Sequence, residues 1–141
     1  AKGRDNARTP MQWSAGKNAG FTTGEPWIML NPNYTEINAE AEEGDPDSVL
    51  NYYRALIALR NGTPALLRGD WRELLPENGQ IVAYVRELEG GEDTVLCNLS
   101  GERAELPCAM SEFGKPVLAN MPSDPAAEAL YPYQALVLKR S

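Results

Sequence analysis

The feature that most constrains the fold is a change of hydrophobic period at residues 62–64. Before this point, apolar side chains recur at helical spacing: Val49, Leu50, Tyr53, Leu56 and Ile57. After it, short segments that alternate with period two are separated by turn residues. Gly62 suits a left-handed helix end, and Pro64 cannot continue the helix. The sequence therefore predicts a mainly β chain with one long helix, in which the strands form an antiparallel β-sandwich.

The helix is predicted over residues 45–62. Asp45 is a favourable N-cap, Pro46 suits the first helical position, and Asp47 suits the positive end of the helix. The strands are predicted at 71–75, 81–88, 94–99, 103–106, 116–120 and 135–139. A hairpin turn is expected at Gly90-Gly91.

Residues 1–44 read as irregular, because Gly, Asn and Pro interrupt every period. Four large aromatic side chains, Trp13, Phe21, Trp27 and Tyr34, argue against a free linker, since such side chains are usually buried or at an interface. We expect an ordered segment without long regular elements.

Charge excludes two classes of partner. The 141 residues carry 20 acidic and 13 basic side chains, for a net charge of -7. Nucleic acids and anionic membranes both require clustered Lys and Arg, so neither is expected as a partner. No apolar run reaches the roughly 20 residues that span a bilayer, and residues 1–4 have no signal-peptide core. We expect a cytoplasmic protein.

Cysteine and histidine content limits the chemistry. The chain has two cysteines, Cys97 and Cys108, and no histidine. This composition excludes a Ser-His-Asp or Cys-His mechanism within the chain, and it does not supply the usual four zinc ligands. We expect two unlinked thiols, with no metal and no cofactor.

The run Arg-Asp-Asn-Ala-Arg-Thr-Pro-Met-Gln-Trp at residues 4–13 carries a family resemblance. It is similar to a segment of the α-glucosidases of the α-amylase superfamily, a group that includes oligo-1,6-glucosidase, dextran glucosidase, trehalose-6-phosphate hydrolase and sucrose isomerase. The likeness continues through residues 19–27, 31–34, 48–60 and 131–135. The chain thus resembles a C-terminal fragment of such an enzyme.

This resemblance implies a domain organisation. Family members have a (β/α)₈ barrel followed by an antiparallel β-domain. Residues 1–63 would be the loop after the eighth barrel strand and the eighth barrel helix, and residues 64–141 the antiparallel β-sandwich. A barrel needs at least about 200 residues, and the family's catalytic carboxylates lie on earlier strands. No residue of this chain inherits a catalytic role, and the chain alone is expected to be inactive.

The resemblance also implies two substrate-binding candidates, Arg4 and Arg8. In the family, the first Arg of the motif reaches the subsite of the non-reducing-end glucose, and Arg4 matches it. Its guanidinium offers five donors in a rigid fork, although a structural ion pair would use the same donors. Arg8 contacts the pocket or holds the loop through Asp5 or a carbonyl; both remain open. Trp27 is a sugar-stacking platform or is buried against the barrel.

The expected function is therefore a non-catalytic part of a retaining glycoside hydrolase that acts on α-glucosidic bonds of short oligosaccharides. Its partners would be the missing catalytic barrel and, with that barrel, an α-glucoside oligosaccharide. The fragment alone is expected to form a homodimer through the helix face or the N-terminal arm. The alternative is a stand-alone carbohydrate-binding β-sandwich, which requires coplanar exposed aromatics among Trp71, Tyr84 and Tyr133.

Overall fold

The computed structural model describes residues 7–140. These residues group into two compact units, one ending at Arg54 and the other beginning at Ala55. The boundary predicted at residues 63–64 separates a barrel segment from a β-domain and does not refer to these two units, so it stays a prediction. No helix in the described part of the chain is both long and apolar enough to cross a membrane.

The first unit contains more helix than the sequence indicated. Two 3-10 turns cover Lys17–Gly20 and Pro32–Thr35, and a short helix, α1, covers Ala39–Gly44. The Asn38 side chain caps α1 by accepting a hydrogen bond of 2.9 Å from the amide of Ala41. The prediction of an entirely irregular segment was therefore wrong at 39–44. A good cap followed by Ala and Glu residues is sufficient for one helical turn and more.

The long helix, α2, covers Val49–Gly62 and begins later than predicted. Ser48 caps it instead of Asp45: its Oγ accepts from the amide of Asn51 at 3.2 Å. Asp45 forms a turn of its own, accepting from the amide of Asp47 at 2.9 Å. Asp and Ser are both good caps, so composition alone does not choose between them.

A third helix, α3, covers Pro64–Arg68. Pro64 stands at its first turn, where the missing amide hydrogen is not needed. As predicted, α2 ends before Pro64, but the sequence analysis did not foresee that the same residue begins a new helix. Gly69 follows α3, and an added Cβ there would lie 2.6 Å from the Ala65 carbonyl oxygen and 2.7 Å from that of Glu87. Only glycine fits between helix and sheet at this point.

The second unit is built on antiparallel strands, as predicted. A five-stranded sheet has the order β1-β2-β3-β7-β5, and a separate two-stranded sheet pairs β4 with β6. The strands are β1 (Asp70–Glu73), β2 (Ile81–Leu88), β3 (Gly91–Asn98), β4 (Ala104–Glu105), β5 (Lys115–Ala119), β6 (Ala129–Leu130) and β7 (Ala135–Arg140).

The hairpin between β2 and β3 turns one residue earlier than predicted. Leu88 pairs with Gly91, so the loop consists of Glu89 and Gly90. Both have positive φ, 53° and 83°, as a two-residue hairpin loop of the primed type requires. Glu89 accepts a left-handed conformation because the register of the two long strands leaves it no other.

One apolar core lies in the second unit. Strands of the five-stranded sheet contribute Ile81, Ala83, Leu96, Leu136 and Leu138, and the two-stranded sheet contributes Ala104 and Leu130. The fold class of mainly β with one long helix is thus confirmed. A sandwich and an open sheet covered by a short ribbon both share this core, so the sandwich itself stays a prediction.

Candidate functional site

The two candidate arginines have different outcomes. Arg4 lies outside the described residues, so its role stays a prediction. Arg8 is exposed, and its Cζ lies 4.8 Å from the ring centroid of Trp27. This distance is within the range of cation–π interaction. Sequence reasoning weighed a pocket, Asp5 or a carbonyl as partners of Arg8, and it missed the indole.

Trp27 is three-quarters exposed, at 75% of its surface. Its ring is therefore not buried against the rest of this chain. The guanidinium of Arg8 covers part of the indole and restricts its orientation. The unit thus presents a large flat apolar surface that is held in place beside a cation.

The loop that leads to Trp27 is braced from within. The Asn18 side chain donates to the carbonyl of Thr22 at 3.1 Å and to that of Gly24 at 2.8 Å. The Thr22 hydroxyl accepts from the amide of Gly24 at 3.1 Å. Asn18 has φ 55°, a left-handed conformation that asparagine tolerates better than most residues. These bonds hold residues 22–24 immediately before Pro26 and Trp27.

The segment that follows Arg8 is also held. The amide of Ala39 donates to the carbonyl of Gln12 at 2.9 Å, and that of Glu40 donates to the carbonyl of Trp13 at 3.0 Å. The Gln12 side chain donates to the carbonyl of Ile37. The motif is therefore tied to the start of α1, a contact between segments about twenty-five residues apart.

A cleft of about 300 Å³ lies in the same unit, lined by Thr9, Pro10, Met11, Gln12, Ile37, Asn38, Ala39, Glu42 and Leu50. The polar side chains Glu42 and Asn38 that line it already form hydrogen bonds within the chain. A Glu42 carboxylate oxygen accepts from the amide of Leu50 at 3.0 Å, and Asn38 bonds Ala41 and Tyr34. The cleft is thus mainly a packing hollow, with no set of convergent polar groups waiting for a ligand.

Trp71 and Tyr84, two aromatic residues of the second unit, do not form a flat platform. Trp71 is 58% exposed and contacts the half-buried Tyr84, with ring centroids 6.3 Å apart and planes tilted by 37°. Burial raises the pKa of Tyr84, and the nearby Cys97 raises it further. The tilt argues against the coplanar arrangement that the binding-module alternative requires.

A buried charge lies on the same side of the sheet as Trp71. Trp71 pairs with Arg86 and Arg86 with Asp93 across the strands, so the three side chains share one face. Asp93 is only 3% exposed, and its Oδ1 has no hydrogen-bond partner. Burial raises the pKa of Asp93, and Lys139 partly opposes this effect. Asp93 stands between Glu92 and Thr94 at the start of β3, so no sequence signal indicated that its carboxylate is buried.

Other reactive groups are sparse in the described residues. No group of three or more His, Cys, Asp or Glu side chains within 7–140 could hold a metal ion. Cys97 and Cys108 are both free thiols, and burial raises the pKa of each. A raised thiol pKa lowers the fraction of reactive thiolate.

Comparison with known proteins gives one family. A family model described as the α-amylase catalytic domain matches residues 1–69. A probable oligo-1,6-glucosidase 2 of Bacillus subtilis is 53% identical over 104 residues, covering 74% of this chain and 18% of that protein. The trehalose-6-phosphate hydrolase of Escherichia coli is 51% identical over 102 residues, which cover 72% of this chain and 18% of that protein.

Similar solved structures come from the same family as these relatives. The isomaltulose synthase of Klebsiella sp. LX3 superimposes with a TM-score of 0.84 at 42% identity, over 96% of this chain and 25% of that one. The chain therefore spans about a fifth to a quarter of the relatives that it matches. The chain belongs to the α-glucosidases of the α-amylase superfamily, as part of such an enzyme.

Proposed function

We propose that this chain is the non-catalytic C-terminal part of a retaining glycoside hydrolase that acts on α-glucosidic bonds of short oligosaccharides. Residues 1–63 would complete the catalytic barrel, with the loop after its last strand and its last helix. Residues 64–141 would form the β-sandwich that steadies the barrel. A retaining mechanism needs two carboxyl groups about 5–5.5 Å apart, and these would belong to the rest of the enzyme.

The match of the catalytic-domain model to residues 1–69 carries this proposal. It includes the whole segment assigned to the barrel and stops just before β1, which begins at Asp70. The end of the match lies six residues beyond the proposed boundary at 63–64, and it supports a change of domain close to the first strand. The matched relatives, an oligo-1,6-glucosidase and a trehalose-6-phosphate hydrolase, support an α-glucoside as substrate.

We further propose that Arg4 binds the non-reducing-end glucose when the barrel is complete. A loop at the C-terminal face of a barrel is where such enzymes carry their binding groups. The bracing of the neighbouring segment on α1 supports the idea, because a binding arginine needs a fixed backbone. The enzyme would work in the cytoplasm, where its two thiols stay reduced.

The test compares the intact enzyme with the 141-residue chain, using isomaltose, sucrose and trehalose 6-phosphate. We expect the intact enzyme to act on at least one of the three and the chain to give only the buffer rate. Turnover by the chain that survives repurification would overturn the assignment of the catalytic groups. An intact enzyme inactive on all α-glucosides would overturn the function.

Arg4→Ala in the intact enzyme tests the arginine. The variant would lose two charge-assisted hydrogen bonds to the sugar, worth about 1.5–3 kcal/mol each. We expect this loss to lower kcat/KM by roughly a hundredfold or more. Arg54→Ala is the control, since Arg54 forms an exposed ion pair of 2.8 Å with Glu43. Equal kinetics in the two variants would make Arg4 a spectator.

A further inference from the structure

The five-stranded sheet has an outer face, opposite to the side chains of its apolar core. Alternate residues of β2 lie on this face, and strand pairing extends it to β1 and β3. Four of its apolar members form a group that we call the outer patch: Trp71, Val82, Tyr84 and Cys97. Trp71 is 58% exposed and Val82 46%, and the other two are half-buried. The chain itself therefore covers this patch only in part.

Helix α3 lies against β2 and β3, and two observations indicate that it lies on the outer face. On the opposite face, the level of Val85 and Thr94 opens on a cavity of about 310 Å³, whose described walls include Phe113 but no residue of α3. On the outer face at that level, Asp93 is only 3% exposed. Helix α3 thus covers one part of the outer face, and the outer patch continues beyond it.

The connection between α3 and the sheet is short. The helix ends at Arg68 and β1 begins at Asp70, so only Gly69 lies between them. Close backbone contacts on both sides hold Gly69 in place. Trp71 follows Arg68 by three residues, and an extended chain of that length spans about 11 Å at most. The outer patch therefore begins next to α3 and cannot move away from it.

The family match indicates what surrounds α3 in a longer chain. The model of the catalytic domain matches residues 1–69 and so includes α3. The relatives are about four times as long as this chain, and a (β/α)₈ barrel carries its helices in an outer ring. Such helices would lie beside α3 and close to the patch. An apolar patch suits a dry contact of this kind, because burial of apolar area contributes about 25 cal/mol per Å².

We propose that the outer patch is the surface through which the β-domain contacts the catalytic barrel, and that an apolar helix face of the barrel covers it beside α3. This inference rests on the proposed function, and it names the face of the β-domain that steadies the barrel. Trp71 and Val82 are then buried in the intact enzyme.

Val82→Asp tests this contact, because a carboxylate costs little at a half-exposed position and much in a dry interface. We expect the variant to lower the Tm of the intact enzyme by at least about 5 °C more than the matched control Val117→Asp does. Val117 is 43% exposed and lies on β5, at the other edge of the sheet. In the 141-residue chain, the two variants should lower the Tm equally, to within about 2 °C. Equal effects of the two variants in the intact enzyme would overturn the proposal.

Thiol labelling gives a second measurement that needs no variant. N-ethylmaleimide labelling followed by peptide mass spectrometry compares Cys97, in the outer patch, with Cys108, which lines the cavity on the opposite face. We expect Cys97 to react at least about tenfold more slowly in the intact enzyme than in the 141-residue chain, and Cys108 to react at similar rates in both.

If Val82→Asp unfolds the 141-residue chain by itself, the labelling decides, and equal rates at Cys97 would overturn the proposal. Neither measurement uses catalysis. An intact enzyme that is inactive on all α-glucosides would therefore refute the proposed function, whereas the contact is judged by the Tm values and the labelling rates alone.

Discussion

At the residue scale, the buried Asn98 at the end of β3 makes four side-chain hydrogen bonds. It is 2% exposed and donates to the carbonyls of Glu102 and Tyr131 at 2.7 and 2.9 Å. Its Oδ1 accepts from the Ser100 amide and hydroxyl, at 2.9 and 2.8 Å. One side chain thereby joins two loops at the same end of the sheet.

We predict that Asn98→Ala lowers the free energy of unfolding by about 2–4 kcal/mol, because it removes the four hydrogen bonds through which a buried amide joins two loops. Urea unfolding followed by circular dichroism measures this change. Asn120→Ala is the control: Asn120 also bridges two backbone groups, at 2.8 and 2.9 Å, but it is exposed. Water replaces its bonds, so its loss should be smaller. Equal losses would show that burial at Asn98 is irrelevant.

Asp93 leads to a prediction of pH dependence. Burial raises its pKa, so the folded state holds the proton more tightly than the unfolded chain does. The stability that comes from protonation is complete below the ordinary value of 3.8 and is lost as the pH rises through the raised pKa. At neutral pH the buried carboxylate therefore destabilises the sheet.

We expect Asp93→Asn to have a higher urea midpoint than the wild type at neutral pH. This advantage should shrink as the pH falls towards 3.8, where the wild-type carboxyl is also neutral. The control Asp70→Asn changes an exposed residue of β1, and its urea midpoint should stay close to that of the wild type at any pH. An advantage that stays constant with pH would assign the effect to packing and not to charge.

The contact between Arg8 and Trp27 lay beyond sequence reasoning for a physical reason. Both residues were singled out, Arg8 by its motif and Trp27 by its size. Their approach depends on the left-handed backbone at Asn18 and on side-chain bonds to Thr22 and Gly24. No hydrophobic period reports such geometry, because each bond is specific to one residue.

At the scale of elements, Ser48 and Asp45 compete for the start of α2. Ser48 is 8% exposed and both caps the helix and donates to the Glu42 carbonyl at 2.7 Å. We predict that Ser48→Ala lowers the stability of α2 by about 1 kcal/mol. Helical circular dichroism during urea unfolding measures it. Asp45→Ala should cost less, because that side chain closes only an exposed turn. A larger loss of stability in Asp45→Ala than in Ser48→Ala would instead identify Asp45 as the cap.

The long strands were predictable and the short elements were not. The alternation at 81–88 reproduces β2 residue for residue, because alternate side chains enter the core. The strand β6, Ala129–Leu130, has two residues and no detectable period, and it was missed. Its pairing with β4 comes from tertiary contact, in which Leu130 fills the core between the sheets.

At the scale of the whole molecule, the family could be identified from a few motifs, but the surroundings of the chain could not. The matched relatives are about four times as long as this chain, so most of the surface that would face it belongs to other residues. Helix α2 reflects this: none of its residues is buried. Its helical period predicted a buried face, and the single chain covers this face only in part, with Leu50 and Leu56 half-buried.

The exposed stripe of α2 leads to the last prediction. Val49, Tyr53 and Ile57 follow one another at four-residue spacing and are 67%, 59% and 55% exposed. Such side chains lie on one face of a helix, and together they form an apolar surface that monomers rarely leave in water. For the 141-residue chain alone, a second copy can bury this stripe against itself by two-fold symmetry.

We therefore expect static light scattering at micromolar concentration to give about twice the 15.5 kDa chain mass. The double change Tyr53→Glu with Ile57→Glu should return the mass to that of one chain, because buried like charges would oppose each other. Ala55→Glu, on the opposite face of α2 and also exposed, should leave the dimer intact. A wild-type chain of single mass would refute the dimer. A dimer that survives the double change would transfer the interface from α2 to the N-terminal segment, where Met11, Trp13 and Phe21 are each about half exposed.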